Sequence, residues 1–171
     1  FVPVANDFGA AYALINFTVS DGATESASTY TITINVTPVN DAPTSTNTTL
    51  TTNEDTELIL NASSFGAYTD IEGDPLSKVQ ITALPAKGSL TLNGTAVTLN
   101  QEISRTDLDA SKLKFLPALN ESGTSYTSLG FKVSDGLLYN YGSAYTLTIN
   151  VTPVNDAPTG AAVCDTLASG N

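Results

Sequence analysis

The sequence predicts an all-β protein built from tandem antiparallel β-sandwiches, and three observations support this fold class. The nine residues Val-Thr-Pro-Val-Asn-Asp-Ala-Pro-Thr occur at 36–44 and again at 151–159, as expected of a repeat array. Apolar and polar residues alternate along several short segments, which is the pattern of half-buried strands. Asn, Asp, Gly and Pro separate these segments, so short strands joined by turns predominate, and layered sheets are favoured.

The repeat extends upstream of these nine residues. Residues 17–22 (Phe-Thr-Val-Ser-Asp-Gly) match 131–136 (Phe-Lys-Val-Ser-Asp-Gly), and scattered matches reach back to Phe1 and Phe115. We therefore divide the chain into residues 1–43, the C-terminal part of one repeat, residues 44–158, a complete repeat, and residues 159–171, the start of a following repeat or a tail. A partial sandwich leaves an unpaired edge, so we expect its missing strands in a longer polypeptide or in a neighbouring chain.

In the partial repeat, the alternation of Ile15, Phe17 and Val19 with polar residues predicts one strand. The segment 30–35 (Tyr-Thr-Ile-Thr-Ile-Asn) predicts a second strand, and its counterpart in the complete repeat is 145–150. Tyr12 and Tyr126 each lie three residues after a glycine, at the start of equivalent strands. They resemble the tyrosine corner of immunoglobulin-like sandwiches.

For the complete repeat we predict strands at 48–51, 57–60, 77–83, 88–92, 95–99, 112–116, 126–134 and 143–152. Asn93-Gly94 predicts a two-residue hairpin turn, because Asn-Gly suits the positive φ angles of a type I′ turn. Residues 106–109 are the one segment that suggests a helix. We predict a single helical turn there, capped by Thr106, with Asp109 three residues later.

Composition excludes several classes of function. The formal charge is −11, from 17 acids and 6 bases, so the phosphates of a nucleic acid would be repelled. Histidine is absent, which removes the Ser-His-Asp triad, and we predict no enzymatic activity. The one cysteine, Cys164, has no partner for an intrachain disulfide. No apolar run approaches the ~20 residues of a membrane span, so membrane insertion is not expected.

Several segments resemble bacterial cadherin-like repeats. The run 131–136, the Thr-rich strand after it and the Val-Asn-Asp-Ala-Pro segment are similar to the end of such a repeat. Residues 70–76 (Asp-Ile-Glu-Gly-Asp-Pro-Leu) resemble their acidic loop, and residues 84–90, 103–104 and 113–117 resemble the proteoglycan-type cadherin-related repeat. The resemblance implies tandem immunoglobulin/cadherin-like sandwiches that form a calcium-stiffened rod in a large extracellular bacterial protein, often an adhesin.

The resemblance also implies a set of Ca²⁺ ligands at the junction between repeats. Carried over position by position, they are Asn40, Asp41, Asp70, Glu72, Asp74 and Asp135. The sequence departs from the cadherin pattern because Glu72 stands where an aspartate is expected and because the Asp-Arg-Glu motif is absent. We therefore expect weak binding, with a Kd of about 10⁻⁴–10⁻³ M as in extracellular modules. The run 53–55 (Asn-Glu-Asp) provides nearby candidates.

Alternative interpretations remain open at this point. Asp, Asn and Gly also form turns without any metal, so these residues are also explained as loop formers. The function most favoured is a non-catalytic structural repeat on a cell surface, with neighbouring repeats as partners. A second possibility is a filament or sheath subunit whose partial domain is completed by strand addition from a neighbouring chain. A third is a carbohydrate- or protein-binding module using Tyr139 and Tyr141, two loop tyrosines that we expect instead to be packing residues.

Overall fold

The structure, a computed structural model, describes residues 1–157. The predicted segment 159–171, with Cys164, lies outside the described residues. The strands in chain order are β1 (Gly9–Phe17), β2 (Tyr30–Val36), β3 (Thr48–Asn53), β4 (Leu58–Ile59), β5 (Lys78–Ala83), β6 (Ser89–Leu92), β7 (Thr95–Ala96), β8 (Glu102–Ser104), β9 (Leu113–Leu116), β10 (Gly123–Ser134) and β11 (Tyr145–Thr152). A 3-10 turn spans Ala62–Phe65, and one short helix, α1, spans Arg105–Asp109. None of the helical segments in residues 1–157 is long and apolar enough to cross a bilayer.

Strands β3 to β11 form a two-layer sandwich, which confirms the all-β prediction. One sheet has the order β3-β11-β10-β5-β8, and the other has the order β4-β9-β6-β7. Neighbouring strands are antiparallel except β3 and β11, which are parallel. The first and last strands of the repeat therefore run side by side in the same direction, so the chain enters the sandwich at one end and leaves it at the other.

The core lies between the two sheets. Phe131 on β10 contacts Phe65 of the 3-10 turn, with ring centroids 5.1 Å apart in an edge-to-face arrangement. On β11 the side chains of Leu147, Ile149 and Val151 are buried, while the intervening Thr and Asn residues point outward. This alternation confirms the strand pattern predicted from the sequence.

Several boundaries and one cap differ from the sequence prediction. Strand β8 was not predicted, because only Ile103 within its three residues is buried and no period is visible. The predicted strands at 57–60 and 95–99 are shorter, at Leu58–Ile59 and Thr95–Ala96. The Asn93-Gly94 turn is as predicted, with φ angles of 51° and 80°.

The predicted helix cap at Thr106 is wrong. Ser104 caps α1 instead, because its Oγ accepts a hydrogen bond from the Asp107 N–H at 3.1 Å and donates to the Asp107 carboxylate at 2.7 Å. The Ser-x-x-Asp pattern thus begins two residues earlier than the Thr-x-x-Asp pattern.

The β1–β2 hairpin repeats the β10–β11 hairpin in register and in detail. Ala13 pairs with Ile34 in the first hairpin, as Thr127 pairs with Ile149 in the second, and both hairpins have a register shift just before this pair. In the first, the side chain of Asn35 accepts a hydrogen bond from the bulged residue at 2.7 Å, and the equivalent bond in the second is also 2.7 Å. The internal repeat is therefore structural as well as sequential.

The two tyrosine corners also correspond. The Tyr126 hydroxyl accepts a hydrogen bond from the Ala118 N–H at 3.1 Å and donates to Glu121 at 3.0 Å. The Tyr12 hydroxyl makes the equivalent pair of contacts, with the residue eight positions before it and with Asp7, at 3.1 Å and 2.9 Å. Each tyrosine ties the start of its hairpin to the preceding loop.

The two hairpins differ in what surrounds them. Within residues 1–157, β1 and β2 form a two-stranded sheet of their own. Phe17 is 38% exposed, whereas its counterpart Phe131 is fully buried. The same sequence position therefore has opposite environments in the partial and complete repeats.

This difference predicts unequal costs for equivalent substitutions. Phe131→Ala removes a fully buried ring and is expected to lower the free energy of unfolding by about 3–5 kcal/mol, whereas Phe17→Ala should cost about 1 kcal/mol or less, since its ring is already partly exposed to solvent. Urea unfolding of both variants, followed by circular dichroism, measures the two values. Equal costs would contradict the described exposure of the first hairpin.

Candidate functional site

The linker between β2 and β3 is anchored to the entry end of the sandwich. The side-chain amide of Asn40 donates to an Asp135 carboxylate oxygen at 2.8 Å, and the Asp41 N–H donates to the Glu72 carboxylate at 3.0 Å. Farther along, reciprocal backbone hydrogen bonds of 2.8 and 2.9 Å join residues 44 and 69, and Pro43 between these contacts is buried. The linker is therefore fixed against two loops of the sandwich over several residues.

The acidic loop at 70–76 is organised by Asp70. One of its carboxylate oxygens, Oδ1, accepts hydrogen bonds from the N–H groups of Glu72 and Asp74, at 3.1 and 3.0 Å. The Tyr68 hydroxyl donates to the Asp74 carbonyl oxygen at 3.0 Å and holds the far side of the loop. The other oxygen of Asp70, Oδ2, is buried and has no hydrogen-bond partner among the described residues. An unsatisfied buried acceptor of this kind is uncommon and points to a missing partner.

The second loop is organised by Asp135 after β10. Its Oδ1 accepts hydrogen bonds from the N–H groups of residues 137 and 138, both at 2.7 Å, while Oδ2 accepts from Asn40. Burial raises the pKa of the Asp135 carboxyl, but these hydrogen bonds outweigh burial and leave the pKa below its ordinary value. Asp21, the equivalent residue of the partial repeat, has the same two backbone contacts, at 2.8 and 2.9 Å. Within residues 1–157, Asp21 accepts no hydrogen bond from a linker side chain. It therefore serves as an internal control that has the turn contacts of Asp135 but lacks the linker contact.

Negative charge is concentrated at this end of the sandwich. Partial burial, followed by the charges of Asp70, Asp135 and Asp74, raises the pKa of Tyr68 to about 12. Three carboxylates from two loops therefore act on a single phenol. A cation bound among them would be attracted by the same potential.

The structure brings all six sequence-predicted ligands to one end of the complete repeat. Asn40 and Asp41 come from the linker, Asp70, Glu72 and Asp74 from the acidic loop, and Asp135 from the loop after β10. Among residues 1–157, no group of three or more acidic side chains is already arranged to hold a metal ion. Most of these groups are engaged in turn and linker hydrogen bonds, and calcium binding stays a prediction.

One residue at the opposite end was only a nearby candidate in the sequence. Glu54, 8% exposed, accepts a hydrogen bond from the Val154 N–H at 2.6 Å, and its own N–H donates to the Thr152 carbonyl oxygen at 2.9 Å. It fixes the linker that leaves the sandwich. The sequence offered one signal for this role, which is an acidic residue directly after a predicted strand. Only the parallel pairing of β3 with β11 shows that the Glu54 side chain reaches the exit linker.

The loop tyrosines behave differently from each other. The Tyr139 hydroxyl donates to Glu102, and the Lys78 ammonium group lies 5.3 Å from the centre of its ring and 2.8 Å from the Glu102 carboxylate. Tyr139 is thus a packing residue, as expected. Tyr141 is 77% exposed, so the packing expectation is wrong for this residue.

Comparisons with known proteins agree with the sandwich. A family model described as a bacterial Ig domain matches residues 40–152, a range that begins at the linker asparagine and ends with β11. The integrin beta-like protein C of Dictyostelium discoideum is 34% identical over 97 residues, which cover 51% of this chain and 5% of that protein. The chain therefore spans a small fraction of the length of this relative.

The contact between Asn40 and Asp135 gives a testable pKa prediction. Asn40→Ala removes one donor to the carboxylate and should raise the pKa of Asp135 towards its ordinary value, while the pKa of Asp21 stays unchanged. Because the folded pKa of Asp135 is depressed, its contribution to stability is present at neutral pH and is lost as the pH falls below about 4. A carboxyl ¹³C NMR titration of the native chain and of Asn40→Ala measures the pKa of Asp135 and of Asp21 in each. An unchanged Asp135 pKa in Asn40→Ala would show that the linker contact is not formed in solution.

Proposed function

The chain belongs to the bacterial Ig domain family, and from this premise we propose that it is a non-catalytic structural repeat of an extracellular surface protein, stiffened at its linkers by calcium. The finer assignment is a cadherin-like repeat, in which sandwiches are joined end to end as a rod. The integrin-like name of the relative supports a place in an adhesion protein. The proposed role is mechanical, because the repeat would hold other parts of a long polypeptide away from the cell.

The anchored linker carries this proposal. A flexible linker would allow neighbouring sandwiches to rotate freely, but here Asn40 and Asp41 are bonded to two separate loops of the following sandwich. The parallel pairing of β3 and β11 places entry and exit at opposite ends. The exit linker shares one local hydrogen bond with the entry linker, since the Asn155 amide donates to the Asp156 carbonyl oxygen at 3.2 Å, as the Asn40 amide does to that of Asp41 at 3.1 Å.

The residues at the entry end suit calcium in their chemistry. Ca²⁺ takes six to eight oxygen ligands in a permissive geometry, and this end offers carboxylates, an amide oxygen and backbone carbonyls. The partnerless Oδ2 of Asp70 is the observation that favours a cation, because an ion would satisfy it. The carboxylates of Asp41 and Asp74 accept no hydrogen bond from the described residues and could turn towards the ion; Glu72 and Asp135 would complete the set.

Bound calcium would act by joining linker and loops. The positive charge of the ion would offset the repulsion among the carboxylates of the linker and the two loops. It would therefore strengthen the contacts that Asn40 and Asp41 already make with these loops. The expected affinity is weak, about 10⁻⁴–10⁻³ M, which matches the millimolar calcium outside cells. The rod would then be stiff outside the cell and more flexible where calcium is scarce.

Thermal unfolding of the whole chain, with calcium and with chelator, tests the proposal. At about 10 mM calcium, binding to the native state alone should add about 1–3 kcal/mol to the free energy of unfolding and raise Tm by several degrees. Asp70→Asn and Asp135→Asn should each reduce this rise, whereas the matched control Asp21→Asn should retain it. The proposal fails if calcium leaves Tm unchanged, or if Asp21→Asn and Asp135→Asn lose the rise equally.

A luminescence experiment locates the ion independently of stability. Terbium, which replaces calcium in oxygen sites, emits when a nearby tyrosine is excited, and Tyr68 lies within this cluster through its hydrogen bond to Asp74. We expect calcium-displaceable emission from the native chain that falls strongly in Tyr68→Phe and is retained in Tyr141→Phe. Equal emission from both variants would place the ion elsewhere.

A further inference from the structure

The β1–β2 hairpin carries an apolar face that is open to solvent. Ile15 and Phe17 on β1 and Ile32 on β2 are 46%, 38% and 50% exposed. Phe1, in the segment before the hairpin, is 68% exposed, whereas its counterpart Phe115 is fully buried in β9. A contiguous apolar face of this kind marks an interaction surface.

The complete repeat shows what covers such a hairpin. Strand β3 adds to β11 in parallel, with Leu147 opposite Thr48, and β5 adds to β10 in antiparallel orientation, with Val133 opposite Val79. The sheet β4-β9-β6-β7 then lies over the apolar face of β10 and β11. All these covering strands lie in residues 44–116, and the last of them, β9, contains Phe115, the counterpart of Phe1.

Two hydrogen bonds at the edge of β11 add specificity. The Tyr145 hydroxyl accepts from the Ser45 N–H at 3.0 Å, and the Thr146 N–H donates to the side chain of Asn47 at 2.9 Å. The hairpin has Tyr30 and Thr31 at the equivalent positions and the same register, so the same two groups face its free edge. Within residues 1–157 the Tyr30 side chain makes no hydrogen bond and is 47% exposed.

We propose that the β1–β2 hairpin is a docking surface for a segment built like residues 44–114 of this chain, with a β3-type strand added in parallel to β2. The occupant supplies a serine N–H for Tyr30 and an asparagine side chain for Thr31. Two hairpins stacked face to face would cover the apolar residues but would leave the edge of β2, with its free Thr31 N–H, unpaired. The shared register therefore favours the repeat-type segment over a second hairpin. This surface does not depend on calcium and involves none of the proposed ligands.

A fusion tests the proposal. A second copy of residues 44–114 is joined directly ahead of Phe1 of the whole chain, which reproduces the Lys114–Phe115 connection of the complete repeat. The backbone amides of β1 and β2 are expected to become at least 100-fold better protected from hydrogen exchange than in the chain without the added segment. In the fusion, Phe17→Ser should abolish this protection, whereas Leu14→Ser, on the outward face of the same strand, should retain it.

A pair of cysteines tests the register. In a Cys164→Ser background, Thr33→Cys should form a disulfide with Thr49→Cys of the added segment, because Thr148, the counterpart of Thr33, lies opposite Thr49 in the complete repeat. The control pair, Thr33→Cys with Thr51→Cys of the added segment, is out of register by two residues and too far apart to bridge without backbone movement.

Three results would overturn the proposal. The first is a hairpin that remains unprotected in the fusion, whether or not the added segment folds. The second is equal disulfide formation by both cysteine pairs. The third is a chain without the added segment that forms a dimer in sedimentation analysis and whose hairpin amides are already protected from hydrogen exchange. A second copy of the chain would then be the occupant. None of these results bears on the calcium rise in Tm, so the two proposals fail separately.

Discussion

The apolar face shared by β10 and β11 is the constraint on which the rest of the structure depends. Phe131, Leu147 and Ile149 are fully buried, and the neighbouring strands and the opposite sheet are placed so that they cover these residues. Because β3 pairs in parallel with β11 at the edge of this sheet, the linker before β3 is brought to the loop that carries Asp135. The position of the six predicted ligands therefore follows from how these strands pair. The exposed β1–β2 hairpin shows the same face without its cover.

Much of the fold could be predicted from the sequence because it depends on local patterns. The repeated linker, the alternation along β11 and the Asn93-Gly94 turn each specify local structure without reference to the rest of the chain. Strand β8 and the Ser104 cap were missed or misplaced, since three residues carry no readable period and two overlapping cap patterns compete. The parallel pairing of β3 with β11 depends on distant parts of the chain, and no local pattern records it.

The six candidate residues could be named from the sequence, but their hydrogen bonding could not. The resemblance to cadherin-like repeats identified six residues, and the structure brings all six to one end of the sandwich. The sequence could not show that Asp70 uses one oxygen for the loop and leaves the other without a partner, because hydrogen bonding depends on the folded loop. It also could not rank Glu54, whose contact with Val154 depends on the parallel pairing of the first and last strands of the repeat. Asp21 and Asp135 illustrate this, since both accept the same two backbone hydrogen bonds, whereas within residues 1–157 only Asp135 also accepts one from a linker side chain.

The parallel pairing of β3 with β11 has a consequence for how the repeat responds to a pull. Tension applied through the two linkers draws β3 and β11 in opposite directions along their common axis. Their hydrogen bonds, which extend over six paired positions from Thr48 to Asn53, then share the load and must break together, in shear. An antiparallel pair pulled from its open end would instead lose its bonds one at a time. The topology that brings entry and exit to opposite ends thus also gives the sandwich resistance to force applied along the line between its two linkers.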